Sequence, residues 1–373
     1  MRIHGARVFS PEGGFSVRDI GIRGDRLVPP EGACGPVINA AGCYAIPGLV
    51  DIHTHGCVRH DYSTAGPEGI GEMTAWAALN GVTALCATTL TLPEADLVRA
   101  CSLLSSPAGA GCADIVGIHL EGPFVSPDKL GAQNPAHVQG PDGALFHRLQ
   151  HAAGGKVKIL SLAPERPGAL ELIGALGGEV VCSLAHTTAD YETGVAAFSR
   201  GARHLTHIYN AMPPFSHRAP GVIGAALDTP WAMVELICDN IHVHPSVVRA
   251  TLSMFGPDRV IFVSDSMMAT GLEDGEYDLG GQAVQVRGST ARLLRDGAIA
   301  GSVTDLMGCL RTAVRVAGVP LETAVACASV NPAKAIGEFH RRGSLDPGKT
   351  ADLVLLEEDL SIRQVYLRGD PIR

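Results

Sequence analysis

Eight short apolar runs recur along the chain, at residues 49–53, 82–88, 114–120, 157–162, 180–185, 203–207, 232–238 and 260–265. Several are nearly continuous in Val, Ile, Leu, Ala and Cys, as in VTALCAT and VIFVSD. A strand covered on both faces by helices needs no polar face, so these runs predict buried parallel strands. Between most of them the apolar positions fall at helical spacing, as in GPEGIGEMTAWAALNG, DYETGVAAFSRG and HPSVVRATLSMFG. Eight strand–helix repeats predict an α/β fold, a (β/α)8 TIM barrel. The competing topology is a doubly wound sheet, but no GxGxxG turn follows the first strand.

Two regions depart from this rhythm. Residues 1–46 and 340–373 carry shorter, alternating pieces between glycine turns, which predict one small β-sandwich built from both termini. The barrel then spans 47–339. Residues 272–300 predict β-hairpins inserted after the eighth strand, and helices from 303 to about 337 close the barrel.

Composition sharpens the picture. Of 373 residues, 46% are hydrophobic and 18% charged, enough for a large core. A net charge of −9 argues against nucleic acid or an anionic membrane surface as partner. An anionic substrate would need a few local cations. The opening MRIHGARVFS has no apolar signal core, and no apolar stretch approaches the ~18 residues that span a bilayer, so a cytoplasmic location is expected. Ten cysteines lack any CxxC pairing; Cys86, Cys182 and Cys238 sit in apolar runs and read as buried, reduced thiols.

Reactive residue types fall at the ends of the predicted strands. His53 and His55 end the first strand, Glu121 the third, His186 the fifth, His207 the sixth and Asp265 the eighth. Barrel enzymes build their sites at this C-terminal rim. Any one of these residues has an ordinary structural explanation, a rim histidine or a helix cap. Their shared end of five separate strands does not. Histidines with a carboxylate suit Zn²⁺, with Fe²⁺, Mn²⁺ or Co²⁺ as alternatives. A divalent metal with an open position lowers the pKa of bound water toward ~7, and Asp265 can carry that water's proton to a leaving group. The residues alone point to metal-assisted hydrolysis of an amide or amidine-like carbon.

PGLVDIHTHG at 47–56 and GSLDPGKTADLVLL at 343–356 resemble the opening and closing segments of the amidohydrolase superfamily. The blocks HLEGPF, AHTTAD, LTHIYNAMPPFSHRAPG, DNIHVHP and VSDSM resemble its N-acetylglucosamine-6-phosphate deacetylase family, over nearly the whole chain. The resemblance implies Glu121, His186 and His207 as ligands of the principal metal and Asp265 as catalytic acid/base. His53 and His55 would hold a second ion, giving one or two per subunit. Asn210, Ala211, Arg218 and His242 would meet the sugar phosphate, with Arg218 reaching across a homodimer into the neighbouring site. Ala132 and Gln133 would line the pocket, and Ile299, Ala300 and Gly301 would touch the acyl side. Many relatives carry His where this chain has Gln133. A neutral amide can donate to the scissile carbonyl but carries no charge.

The remaining histidines and lysines divide as follows. His119 shares the Glu121 strand and is expected behind the site; His244 marks a helix entry; Asp239 orients neighbours; His60, His137, His151 and His217 carry no function. Lys156 and Lys158 lie at the start of their strand, which argues against a bridging carboxylated lysine. The expected activity is metal-dependent deacetylation of N-acetylglucosamine 6-phosphate. The alternatives are the galacto epimer, an N-acyl amino acid, a nucleobase deaminase, and a scaffold without catalysis.

Overall fold

A computed structural model describes residues 1–107 and 109–373. Eight strands, β1 (Leu49–Thr54), β2 (Val82–Thr89), β3 (Asp114–Glu121), β4 (Val157–Leu162), β5 (Val181–Leu184), β6 (His204–Leu205), β7 (Met233–Ile237) and β8 (Val260–Val263), form one parallel sheet in chain order. β8 returns to β1 at the rim. The Asp265 N–H donates to the His53 carbonyl at 2.9 Å, and the Ser264 backbone and hydroxyl both donate to the Asp51 carboxylate. Nearly every side chain of these strands is buried, which is why they read as unbroken apolar runs.

A helix follows each strand: α1 (Pro67–Leu79), α2 (Glu94–Leu104), α3 (Gly143–Ala152), α4 (Ala169–Leu176), α5 (Tyr191–Ser199), α6 (Gly221–Leu227), α7 (Pro245–Phe255) and α8 (Leu306–Arg315). Asp142, Asp190 and Asp305 cap α3, α5 and α8 by accepting from first-turn N–H groups. His244 caps α7, as its place before Pro245 suggested. Short helices Leu321–Val325 and Asn331–Ala335 complete the closing segment.

The two chain ends form one eight-stranded sheet, with Leu353–Leu356 antiparallel to Tyr44–Pro47. Its period-2 alternation serves two cores. Leu353 and Leu355 pack with Ile3, Val8 and Ala45, while Val354 and Leu356 join Ile46 and Leu85 on the barrel side. The insertion after β8 is a three-stranded antiparallel sheet, Gly275–Leu279, Gln282–Arg287 and Thr290–Leu293. It rests on the loop after β3 through Gln282 to the Ala132 carbonyl and Asn134 to the Gly280 carbonyl.

Four strands stop short of the ends expected, β5 and β7 by one residue and β6 and β8 by two. β6 ends at Leu205 because the His207 N–H is taken by the Glu235 side chain at 3.2 Å rather than by a sheet carbonyl. β8 ends at Val263 because Ser264 turns to the Asp51 carboxylate. All ten cysteines are free, and Cys86, Cys182 and Cys238 are buried. Among the described residues, no helix is long and apolar enough to cross a membrane.

Candidate active site and metal centre

The strand ends bring His53, His55, Glu121, His186, His207 and Asp265 together. His186, His207 and Asp265 each adopt positive φ (44°, 27° and 49°), a region that non-glycine residues seldom occupy. The chain therefore turns sharply at the end of β5, β6 and β8, and each side chain is thrown inward over the rim.

Glu121 is the hub. Its Oε1 lies 2.9 Å from His207 Nε2 and 3.1 Å from His186 Nε2, and these two nitrogens are 3.2 Å apart. Its Oε2 lies 3.2 Å from His55 Nε2. Asp265 Oδ1 is 3.3 Å from His55 Nε2 and 3.5 Å from His53 Nε2. Two ligand sets result: Glu121, His186 and His207; and His53, His55 and Asp265.

Tautomers test whether these sets fit a cation. His186 Nδ1 lies 2.9 Å from the Lys129 carbonyl, which can only accept, so Nδ1 carries the proton and Nε2 presents a lone pair to the site. His53 Nδ1 lies 2.8 Å from Glu235 Oε2, and its buried Nε2 has no hydrogen-bond partner. Converging lone pairs and carboxylate oxygens suit a divalent cation, so the residues fit one. A third grouping, His53, His119 and Glu235, does not. His119 spends Nδ1 on the Ile52 carbonyl and Nε2 on the Ser161 hydroxyl, which leaves it no free lone pair.

Electrostatics agree. Burial works to raise the Glu121 carboxyl, but the His53 charge and the His186 and His207 contacts hold it well below its ordinary value. Burial is likewise overcome at Asp265, mainly by His53 and His55, which bring it down to about 2. Against burial, Glu235, Glu121 and Asp265 push the His53 imidazole up to about 9. A divalent cation competes for the same lone pairs and would displace such protons. Burial, with the charge of His53, takes His119 down to about 3, so it is neutral.

A cavity of about 290 Å³ opens over this cluster. Its walls include His55, Glu121, His186, His207 and Asp265, and of the expected substrate residues Ala132, Gln133, Asn210, Ala211, His242, Ile299 and Gly301. His53 lies beneath, fully buried. Two expected residues are not in the wall. Ala300 is buried in the core of the inserted sheet, its N–H bonded to the Ala291 carbonyl. Arg218 is exposed on the loop before α6.

Gln133 is fixed at both ends. Its Oε1 accepts from the Thr91 N–H at 2.8 Å, and Nε2 donates to Glu121 Oε2 at 2.6 Å, so only the second amide N–H remains for a ligand. Asp239 accepts from His242 Nδ1 at 2.7 Å and, against burial, raises its pKa. The sequence reading missed Glu235, Leu90, Leu279 and Ala298. Glu235 had a signal, as the only charged residue in the apolar run AMVELIC.

A parallel barrel with this cluster at its C-terminal rim is the arrangement of a barrel hydrolase. The Amidohydrolase family model matches residues 44–372. N-acetylglucosamine-6-phosphate deacetylase of Bacillus subtilis (strain 168) is 40% identical over 334 residues, 87% of this chain and 83% of the relative. N-acetylgalactosamine-6-phosphate deacetylase of Escherichia coli O157:H7 is 33% identical over 326 residues, 87% of this chain and 86% of the relative. A mutant N-acetyl-D-glucosamine-6-phosphate deacetylase from Mycobacterium smegmatis, solved in complex with N-acetyl-D-glucosamine-6-phosphate, superposes with a TM-score of 0.93. It is 34% identical and covers 100% of this chain and 99% of its own. The chain belongs to the amidohydrolase family and, within it, to the N-acetylglucosamine-6-phosphate deacetylase branch.

Proposed function

We propose that this protein hydrolyses N-acetyl-D-glucosamine 6-phosphate to D-glucosamine 6-phosphate and acetate in amino sugar metabolism. The observation that carries the reading is the pair of Nε2 atoms of His186 and His207, 3.2 Å apart on one oxygen of Glu121, at the floor of a sugar-sized cavity. Glu121, His186 and His207 would hold the principal divalent cation, zinc by its fit to nitrogen and oxygen donors. His53, His55 and Asp265 would hold a second, with Glu121 between the two. A cation there supplies Lewis acidity toward the amide carbonyl and activates water at neutral pH.

The chain's own residues do the rest. Asp265 is ionised, and its Oδ2 makes no hydrogen bond within the described residues. It takes the proton of the attacking water and returns it to the amide nitrogen as the C–N bond breaks. The free N–H of Gln133 and the Ala211 backbone N–H, held at φ 53°, offer neutral donors to the substrate. His242, with Nδ1 tied to Asp239, offers Nε2 to the phosphate.

No lysine or arginine lines this cavity among the described residues, although a phosphate dianion needs compensating charge. Arg218 is exposed and has no carboxylate within ion-pair distance among the described residues. It is the cation a second copy would deliver, and its exposure supports a homodimer as the active form. The galacto epimer is the second reading, favoured by the Escherichia coli O157:H7 relative. The test is acetate release from N-acetylglucosamine 6-phosphate, N-acetylgalactosamine 6-phosphate and the unphosphorylated sugars, with elemental analysis of the same protein. Release from the gluco 6-phosphate well above the others supports the proposal. Release without phosphate preference, or of ammonia instead, overturns it.

A further inference from the structure

Glu235 is fully buried on β7, inside the barrel, in a strand otherwise made of Met, Val, Leu and Ile. A carboxylate there is held by hydrogen bonds or it is expelled. One oxygen makes both of its close contacts. Oε2 accepts from His53 Nδ1 at 2.8 Å and from the His207 backbone N–H at 3.2 Å. The other oxygen faces His204 Nδ1 at 3.6 Å. His53 belongs to one ligand set and His207 to the other.

The geometry points to Glu235 as the positioning residue that couples the two ligand sets: it fixes the His53 tautomer for the second cation and pins the His207 backbone for the first. This rests on the two-cation reading of the site given above. Because Oε2 can only accept, His53 carries its proton on Nδ1. Nε2, itself 3.5 Å from both Glu121 Oε1 and Asp265 Oδ1, is then the nitrogen left to present a lone pair to a cation between them. A carboxylate behind an imidazole also makes it a stronger ligand than a carbonyl does. His186 has only the Lys129 carbonyl behind it. The second set is thus the one supported by full charge, and Glu235 supplies that charge. His207 sits at φ 27°, and the bond from its N–H to Glu235 replaces the sheet bond that the turn gives up.

The test compares the parent with Glu235→Gln, which keeps size and one acceptor but removes the charge. Both proteins are stripped with a chelator, then titrated with Zn²⁺ by equilibrium dialysis and elemental analysis. The parent is expected to hold two equivalents. Glu235→Gln is expected to keep the first and to hold the second ~10–100-fold more weakly. Unfolding of the stripped proteins checks that the barrel is intact. Glu235→Asp, which retains charge at a shorter reach, is expected to fall between parent and Gln. It is the comparison that decides the question if the Gln protein does not fold. Parental affinity for both equivalents in the variants overturns the assignment, as does loss of the first equivalent with the second held as in the parent. A parent that binds one equivalent also overturns it, while its acetate release would leave the functional reading standing.

Discussion

Replacing Asp265 by asparagine isolates proton transfer from shape. Oδ1 of this residue lies 3.3 Å from His55 Nε2 and 3.5 Å from His53 Nε2, and the side chain forms part of the cavity wall. With its carboxyl down at about 2 despite burial, essentially every molecule carries the basic form at neutral pH. An amide in its place accepts no proton from water and returns none to the departing amine. General acid–base help of this kind contributes ~10²–10⁴-fold, or about 3–5 kcal/mol of barrier. The set Glu121, His186 and His207 does not include Asp265, so Asp265→Asn should retain at least that metal equivalent. We expect kcat for acetate release to fall by ~10²–10⁴-fold, with the larger part of the loss in kcat rather than KM. Acetate release at saturating N-acetylglucosamine 6-phosphate and metal content are to be read on one preparation. A metal-loaded variant within about tenfold of the parent would refute the proton-carrier role.

Three further outcomes test the surrounding claims. The double change His53→Ala with His55→Ala should cost at most one metal equivalent and leave some activity, whereas Glu121→Ala, His186→Ala or His207→Ala should each lose tightly held metal and turnover; elemental analysis that shows total loss in the double variant would place the principal site elsewhere. Arg218→Ala should lower kcat/KM for the 6-phosphate at least ~10-fold, since a charge-assisted hydrogen bond contributes about 1.5–3 kcal/mol, and should barely change the unphosphorylated sugar. Co-expression with Asp265→Asn should restore activity if Arg218 acts across a dimer, and equal loss on both sugars would make it an ordinary loop residue. In metal-stripped protein, Glu235, Glu121 and Asp265 raise His53 to about 9 against burial. That stabilisation is complete below the unfolded histidine value of ~6.5 and is lost as pH rises toward about 9, so the Tm of stripped protein should fall across this window while the loaded protein stays flat; parallel curves would contradict it.

The barrel was legible because its strands are buried on both faces. β4 coincides with the apolar run 157–162, and the ends of the other strands lie within two residues of theirs. The clustering of the strand-end histidines and carboxylates was legible for a related reason: a histidine or carboxylate at the end of such a run stands out against it. Legibility failed where a side chain replaces the backbone. Nothing in RHLTH says that the His207 N–H leaves the sheet for Glu235, a residue 28 positions later. Gln133 could be placed in the pocket wall from its loop, but not its double attachment to Thr91 and Glu121, which depends on the distance between two strand ends. The burial of Ala300 beside the inserted sheet, outside the cavity wall, was not legible either, since it lies past the last inserted strand and no alternation marks which way its methyl faces. Glu235 was visible as a lone charge, but the run that contains it does not say which way it faces.

The same features explain why the site holds its geometry. A non-glycine residue in a disfavoured backbone region costs on the order of 1–3 kcal/mol, and His186, His207 and Asp265 each occupy one. Marginal stability of ~5–15 kcal/mol does not tolerate three such residues unless their surroundings fix them. Each is fixed by a bond next to the turn: Asp265 N–H to the His53 carbonyl, His207 N–H to Glu235, and the Ser126 N–H to the His186 carbonyl. Two of these three bonds run to β1 or β7 rather than to the residue's own strand. The strain at one strand end is therefore offset by its neighbours, and the ligands cannot drift apart singly. A cluster of imidazoles and carboxylates this close would spread apart if it were free to relax. Held in place by the backbone, it keeps its nitrogen and oxygen donors converged on positions that suit a divalent cation, which would displace the protons the stripped cluster holds.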